Sequence, residues 1–87
     1  MKINKEFVLR EIAGDYILVP VGNTAMEFNG LITLNEVSAL LWEKMQNEVS
    51  LEQLIDAVLE EYEVDRTTAT QDVEEFVDRL KETKILD

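Results

Sequence analysis

The chain has 87 residues, of which 46% are hydrophobic and 31% charged, the profile of one small globular domain and not of a disordered segment. Eight Lys+Arg against 19 Asp+Glu give a formal net charge of -11, which argues against nucleic acid as a partner, because such binding draws its affinity from cations laid along phosphates. Cysteine and histidine are both absent, so disulfide frameworks, the usual zinc sites and every Ser/His or Cys/His nucleophile pair are excluded.

The opening residues Met1-Lys2-Ile3-Asn4-Lys5-Glu6 turn charged at once, unlike a signal peptide, and no apolar run approaches the roughly 20 residues needed to span a bilayer. A cytoplasmic protein with no membrane partner is expected. A deep substrate pocket would consume much of so small a core. A binding module without cofactor or catalysis is therefore the expected class.

Before about residue 35 the pattern reads as strands. Phe7 to Ile12 is the first run, ended by Ala13-Gly14-Asp15. Tyr16 to Val21 is the second; it carries the only proline, Pro20, which cannot donate to a ladder and so places its part of the strand at an edge or a bulge. Gly22-Asn23-Thr24 breaks that run. The third stretch, Met26 to Leu34, contains the turn signal Asn29-Gly30. It is read either as a small hairpin of Glu27-Phe28 with Leu31-Ile32, or as one strand, Leu31 to Leu34, after a loop.

From Asn35 the period becomes helical. Asn35 is a good N-cap and Glu36 suits the first turn; Val37, Leu40, Leu41 and Met45 follow at helical spacing, with Trp42 beside them and Asn47 as the expected end. Ser50-Leu51-Glu52-Gln53 has the form of a capping box. It opens a helix whose Leu51, Leu54, Ile55, Val58, Leu59 and Tyr62 share one stripe. A third helix from Asp65 or Thr67 aligns Ala69, Val73, Phe76, Val77 and Leu80, and Ile85-Leu86 forms an apolar tail suited to pack back on the core. No repeat or linker divides the chain. Residues 1–87 are expected to form one α+β domain: a three-stranded antiparallel sheet over about 6–34, then three helices over about 35–83 packed on one sheet face, the outline of a winged helix-turn-helix.

Four features carry candidate function. The last strand, Leu31, Ile32, Thr33 and Leu34, is a candidate sheet edge onto which an extended peptide can add. The apolar stripe Val73, Phe76, Val77 and Leu80 of the third helix would wall a groove beside that edge if it is not all buried. The acidic clusters Glu60-Glu61-Glu63-Asp65 and Asp72-Glu74-Glu75-Asp78 lack the spacing of a calcium loop and read as solvated helix faces. Ser50-Leu51 before an amphipathic helix is similar to the modified serine of an acyl or peptidyl carrier protein, but Ser50 follows Val49 and not the aspartate of the Asp-Ser-Leu motif. Helix capping accounts for it. A structural module that dimerises through its strand edge is a further alternative, so monomer and homodimer both stay open.

Leu31-Ile32-Thr33-Leu34-Asn35-Glu36-Val37 with Leu41-Trp42, then Ser50 to Ile55, Tyr62-Glu63-Val64-Asp65 and Asp72 to Leu80, together resemble the PqqD family, the pyrroloquinoline quinone synthesis protein D group. The likeness runs over about residues 7–86 and departs at the end, where Lys84-Ile85-Leu86 replaces a Gly-Leu-Leu type closure. The resemblance implies a recognition element of ribosomally made, modified peptides. Such an element binds the leader segment of a precursor as an added strand on the third strand, against the third helix, and presents it to a modifying enzyme, often a radical S-adenosylmethionine enzyme. Carried over by position, it implies Leu31 to Leu34 as the strand and Val73, Phe76, Val77 and Leu80 as the cleft wall. Arg79 and Lys81 lie near enough on that helix to meet an acidic leader residue.

Overall fold

The computed structural model describes residues 1–86. The first two runs form β1 (Phe7–Ile12) and β2 (Asp15–Pro20), paired antiparallel from Phe7↔Pro20 to Ile12↔Asp15. Ala13 and Gly14 join them with φ of 52° and 87°, so both central residues of this tight hairpin turn are left-handed, a conformation glycine accepts freely and alanine does not. β3 (Ile32–Leu34) pairs with the other side of β2 through Tyr16↔Leu34, Ile17↔Thr33 and Leu18↔Ile32. The strand order is β1-β2-β3.

The Val21 N–H donates to the Glu6 carbonyl at 3.0 Å, continuing the β1 ladder beyond β2. Because a strand's bonding direction alternates residue by residue, Val19 and Ile17 also bond toward β1, while Pro20, Leu18 and Tyr16 face β3. Pro20 lies past the last β3 pairing, Leu18↔Ile32, so its missing N–H leaves no ladder acceptor unmet. β2 is the central strand, and only its proline end is locally an edge.

Between β2 and β3 one expectation is corrected, and of the two open readings of the Asn29-Gly30 stretch the strand after a loop is the one that forms. A fourth helix, α1 (Gly22–Glu27), stands where a break was expected. Six residues are too few to display an apolar period, and only Thr24 of α1 is buried; its hydroxyl accepts from the Glu6 N–H at 2.9 Å. The Asn29-Gly30 hairpin does not form. Gly30, at φ 100°, turns the chain within a loop, and Leu31 is left outside the strand and 61% exposed.

The other helices follow their caps. α2 (Glu36–Lys44) begins where Asn35 Oδ1 accepts from the Ser38 N–H at 2.8 Å. α3 (Leu51–Glu61) opens with both arms of the capping box: Gln53 N–H to Ser50 Oγ at 3.1 Å, and Ser50 N–H to Gln53 Oε1 at 2.9 Å. α4 (Arg66–Glu82) is capped by Asp65, which accepts from the Thr68 N–H at 2.7 Å. That bond holds the Asp65 carboxyl below the usual carboxylate range.

Leu18, Ile32 and Leu34 from the sheet meet Leu41, Trp42, Leu54, Val58, Val73, Val77 and Leu80 from the helices in one buried core. Phe7 stands edge-on to Phe28 and Trp42, with ring centroids 5.4 and 5.8 Å away. Ile85 and Leu86 pack back on the core. Among the described residues no helix is long and apolar enough to cross a membrane.

The end of α4 is a Schellman closure: the Ile85 N–H bonds the Leu80 carbonyl at 2.9 Å and the Lys84 N–H bonds the Lys81 carbonyl at 3.1 Å. Lys84 holds the left-handed position of that motif at φ 61°, where glycine fits without strain. Lys84→Gly should therefore raise stability by up to about 1 kcal/mol in urea unfolding with an unchanged m-value.

Candidate functional site

Thr33 is the pivot of the site. Its register partner Ile17 bonds toward β1, so Ile17↔Thr33 is a non-bonded pair and the Thr33 N–H and C=O point away from the sheet. A side-chain contact agrees: the Arg79 guanidinium of α4 donates to the Thr33 carbonyl at 3.3 Å. Ile32 and Leu34 turn their side chains into the core and their backbone bonds toward β2. β3 is thus laddered on one side only.

A cleft of about 210 Å³ adjoins this edge, lined by Asn35, Val37 and Ser38 from the start of α2 and by Asp72, Glu75, Phe76 and Arg79 from α4. Arg79 belongs to both features: it lines the cleft and touches the strand edge. Edge and cleft therefore form one continuous surface. Its chemistry is a backbone donor and acceptor, an aromatic floor, two carboxylates and one guanidinium, which suits binding an extended polar chain.

Val73, Val77 and Leu80, expected in the cleft wall, are 0%, 4% and 1% exposed and face the core. They hold α4 against the sheet and do not line the cleft. Of the four stripe residues, only Phe76 does. The stripe that lines the cleft, Asp72, Glu75, Phe76 and Arg79, runs along the flank of the buried one, with Phe76 itself 4% exposed. Its spacing of 3, 1 and 3 is itself a helical face legible in the sequence; its polarity concealed it beside the more apolar neighbour. Asn35 and Val37 were read only as helix cap and helical stripe and Ser38 was not singled out, since nothing local signals that the turn into α2 borders a cleft.

The acidic clusters do not assemble: among the described residues no group of three or more Asp or Glu could hold a metal ion. Around Glu36 the surface is nonetheless strongly anionic. Burial, then the Glu36 charge, pushes the Tyr62 hydroxyl above its ordinary pKa, and Glu11, then burial, does the same for Tyr16. Ser50 has its hydroxyl engaged as the α3 cap.

Phe76 and Arg79, one turn apart, separate structural from surface roles. Phe76→Ala should cost about 3–5 kcal/mol in denaturant unfolding, as a large buried side chain does. Arg79→Ala, removing an exposed contact, should change stability by less than about 1 kcal/mol.

The family model of coenzyme PQQ synthesis protein D (PqqD) matches residues 15–86. Among solved structures, the chain is similar to "TbiB1 in complex with the TbiA(beta) leader peptide", at 25% identity and a TM-score of 0.74, over 100% of this chain and 95% of that one. It is also similar in fold to "Lasso peptide synthetase B1 complexed with the leader peptide", at 23% identity and a TM-score of 0.72, over 94% and 91% of the two chains. No curated protein matches the sequence.

Proposed function

The chain belongs to the PqqD family, and from that membership we propose that it is a non-catalytic peptide-binding adaptor. It captures the leader segment of a ribosomally made precursor as a fourth strand on β3 and delivers it to a modifying enzyme in the cytoplasm. A radical S-adenosylmethionine enzyme suits the family relationship as that partner. The two similar structures carry leader peptides, which supports the same class of ligand here.

One observation carries the reading: the outward N–H and C=O of Thr33, unladdered beside a cleft of about 210 Å³. An added strand would exchange both bonds with Thr33, displacing Arg79 from the carbonyl. Leu31, exposed at the start of the edge, offers an apolar anchor, while Phe76, 4% exposed, gives the cleft a buried aromatic floor. Asp72, Glu75 and Arg79 set the charge pattern that a leader side chain meets. Two or so backbone bonds at about 1 kcal/mol each, plus a few anchors, offset the ordering of a flexible leader and yield moderate affinity. The adaptor's effect is then a raised local concentration of substrate at the enzyme.

Thr33→Pro deletes the outward donor without removing a bond to β2, whereas proline at Ile32 would damage the sheet itself. In calorimetric titration with a leader peptide that the parent chain binds, Thr33→Pro should weaken binding about tenfold while circular dichroism stays native. Undiminished affinity in that variant would remove strand addition from consideration.

A further inference from the structure

β1 gives the sheet a second margin, on the side away from β3. The Val21 N–H donates to the Glu6 carbonyl, so by alternation Val8 and Arg10 bond inward with Val19 and Ile17. The N–H and C=O groups of Phe7, Leu9 and Glu11 then point away from the sheet. Among the described residues no backbone partner meets them there. β1 is six residues long against three for β3, and its register runs without a bulge. It is the longer open margin of the two.

Its sequence is a charge mirror. In Lys5-Glu6-Phe7-Val8-Leu9-Arg10-Glu11, a two-fold axis through Val8 lays two copies antiparallel with Phe7 against Leu9, Glu6 against Arg10 and Lys5 against Glu11. Each contact is made twice, as an isologous pair requires. Phe7 and Leu9 exchange their outward bonds, and the two Val8 side chains meet at the axis. Neighbouring registers lose the match. An axis through Leu9 sets Arg10 against Val8 and Glu11 against Phe7; one through Arg10 opposes two arginines; one through Phe7 faces Arg10 with Asn4. An axis between residues would face outward groups with inward ones and form no ladder.

Glu6 and Arg10 are both exposed, and among the described residues neither forms an ion pair within the chain. Charges on a strand margin ordinarily keep other strands away; here each finds its opposite in a second copy. The net charge of -11 opposes association, but repulsion between exposed charges more than roughly 8 Å apart is largely screened at physiological salt. β3 has no such compensation: Ile32-Thr33-Leu34 is uncharged and borders the carboxylates of Asp72 and Glu75. The contact is also narrow, about 20 Å of strand, well short of the about 800 Å² per partner of a standard interface. Backbone bonds must hold it, and the charge pairs set its register.

We infer that β1 is a self-pairing margin, through which two copies of the chain join antiparallel about Val8 into one continuous sheet. The dimer is weak and reversible, and it leaves β3 and its cleft free at both outer ends. This inference stands apart from the leader reading; together the two describe an adaptor with two peptide sites.

Sedimentation equilibrium of the full chain, from micromolar to millimolar concentration, should show reversible exchange between monomer and dimer. Arg10→Glu should weaken the dimer at least tenfold, because Glu6 then faces a carboxylate. Combining it with Glu6→Arg restores the parent net charge and should bring the dimer back within threefold of the parent. Lys44→Glu, the same charge change on α2, should stay within twofold. Circular dichroism checks the fold of each variant. Val8→Cys sets the chain's only thiol across a non-bonded pair, where a Cα separation of about 4.5 Å suits a disulfide. It should cross-link under mild oxidation at least tenfold faster than Ile12→Cys. A parent chain still monomeric at millimolar concentration, a folded charge-swap variant that is not rescued, or equal cross-linking at both positions overturns the inference. So does an equal loss in Lys44→Glu, which would make net charge and not register the cause. A dimer that leader peptide dissociates would place the pairing at β3 and overturn it as well.

Discussion

The structure depends on how its helices are shared out against a three-stranded sheet. α2, α3 and α4 together bury one continuous apolar surface, and the sheet contributes Leu18, Ile32 and Leu34 from a single face. The short α1 buries only Thr24, among the described residues Val8, Ile17 and Val19 of the other face are not packed against the core, and three strands cannot close into a barrel. With β2 central, β3 must be an edge. The same packing that stabilises the fold leaves the outer margins of β1 and β3 and one sheet face open.

Much of this was legible because each local signal agreed with the tertiary result. The boundaries of α2, α3 and α4 follow from Asn35, Ser50 and Asp65, side chains that satisfy a helix's first N–H groups whatever surrounds them. Strand alternation in Ile32-Thr33-Leu34 fixed which of the three faces solvent. α1 was illegible for the opposite reason: its one buried residue, Thr24, is polar and is held by a bond to Glu6, eighteen residues earlier. A contact of that range has no local trace. The Lys84 turn departs from the glycine expected there because tertiary packing of Ile85 and Leu86 imposes the left-handed position on whatever residue occupies it.

The candidate site was half legible. Helical periodicity identifies the residues that hold α4 in place, and periodicity alone left open which of them α4 also presents. Val73, Val77 and Leu80 are buried because they are the strongest apolar positions; a binding surface must lie on the flank of such a stripe, at Asp72, Glu75, Phe76 and Arg79. A short domain uses its best hydrophobic positions to fold. Its ligand meets what is left over: polar flanks, backbone and a few exposed apolar side chains such as Leu31.

An open edge is also a hazard, since any extended chain can pair with it. Three features narrow the risk here without closing the edge. β3 is three residues long, so few backbone groups are on offer. Arg79 covers the outward Thr33 carbonyl with a single exposed hydrogen bond, weak enough to be exchanged for a peptide N–H yet sufficient to keep the acceptor occupied. The excess of carboxylates disfavours a second copy of the chain as the pairing strand. An edge that is short, lightly capped and surrounded by negative charge is poorly matched to self-association. It remains matched to a flexible peptide whose side chains contribute what the backbone alone cannot.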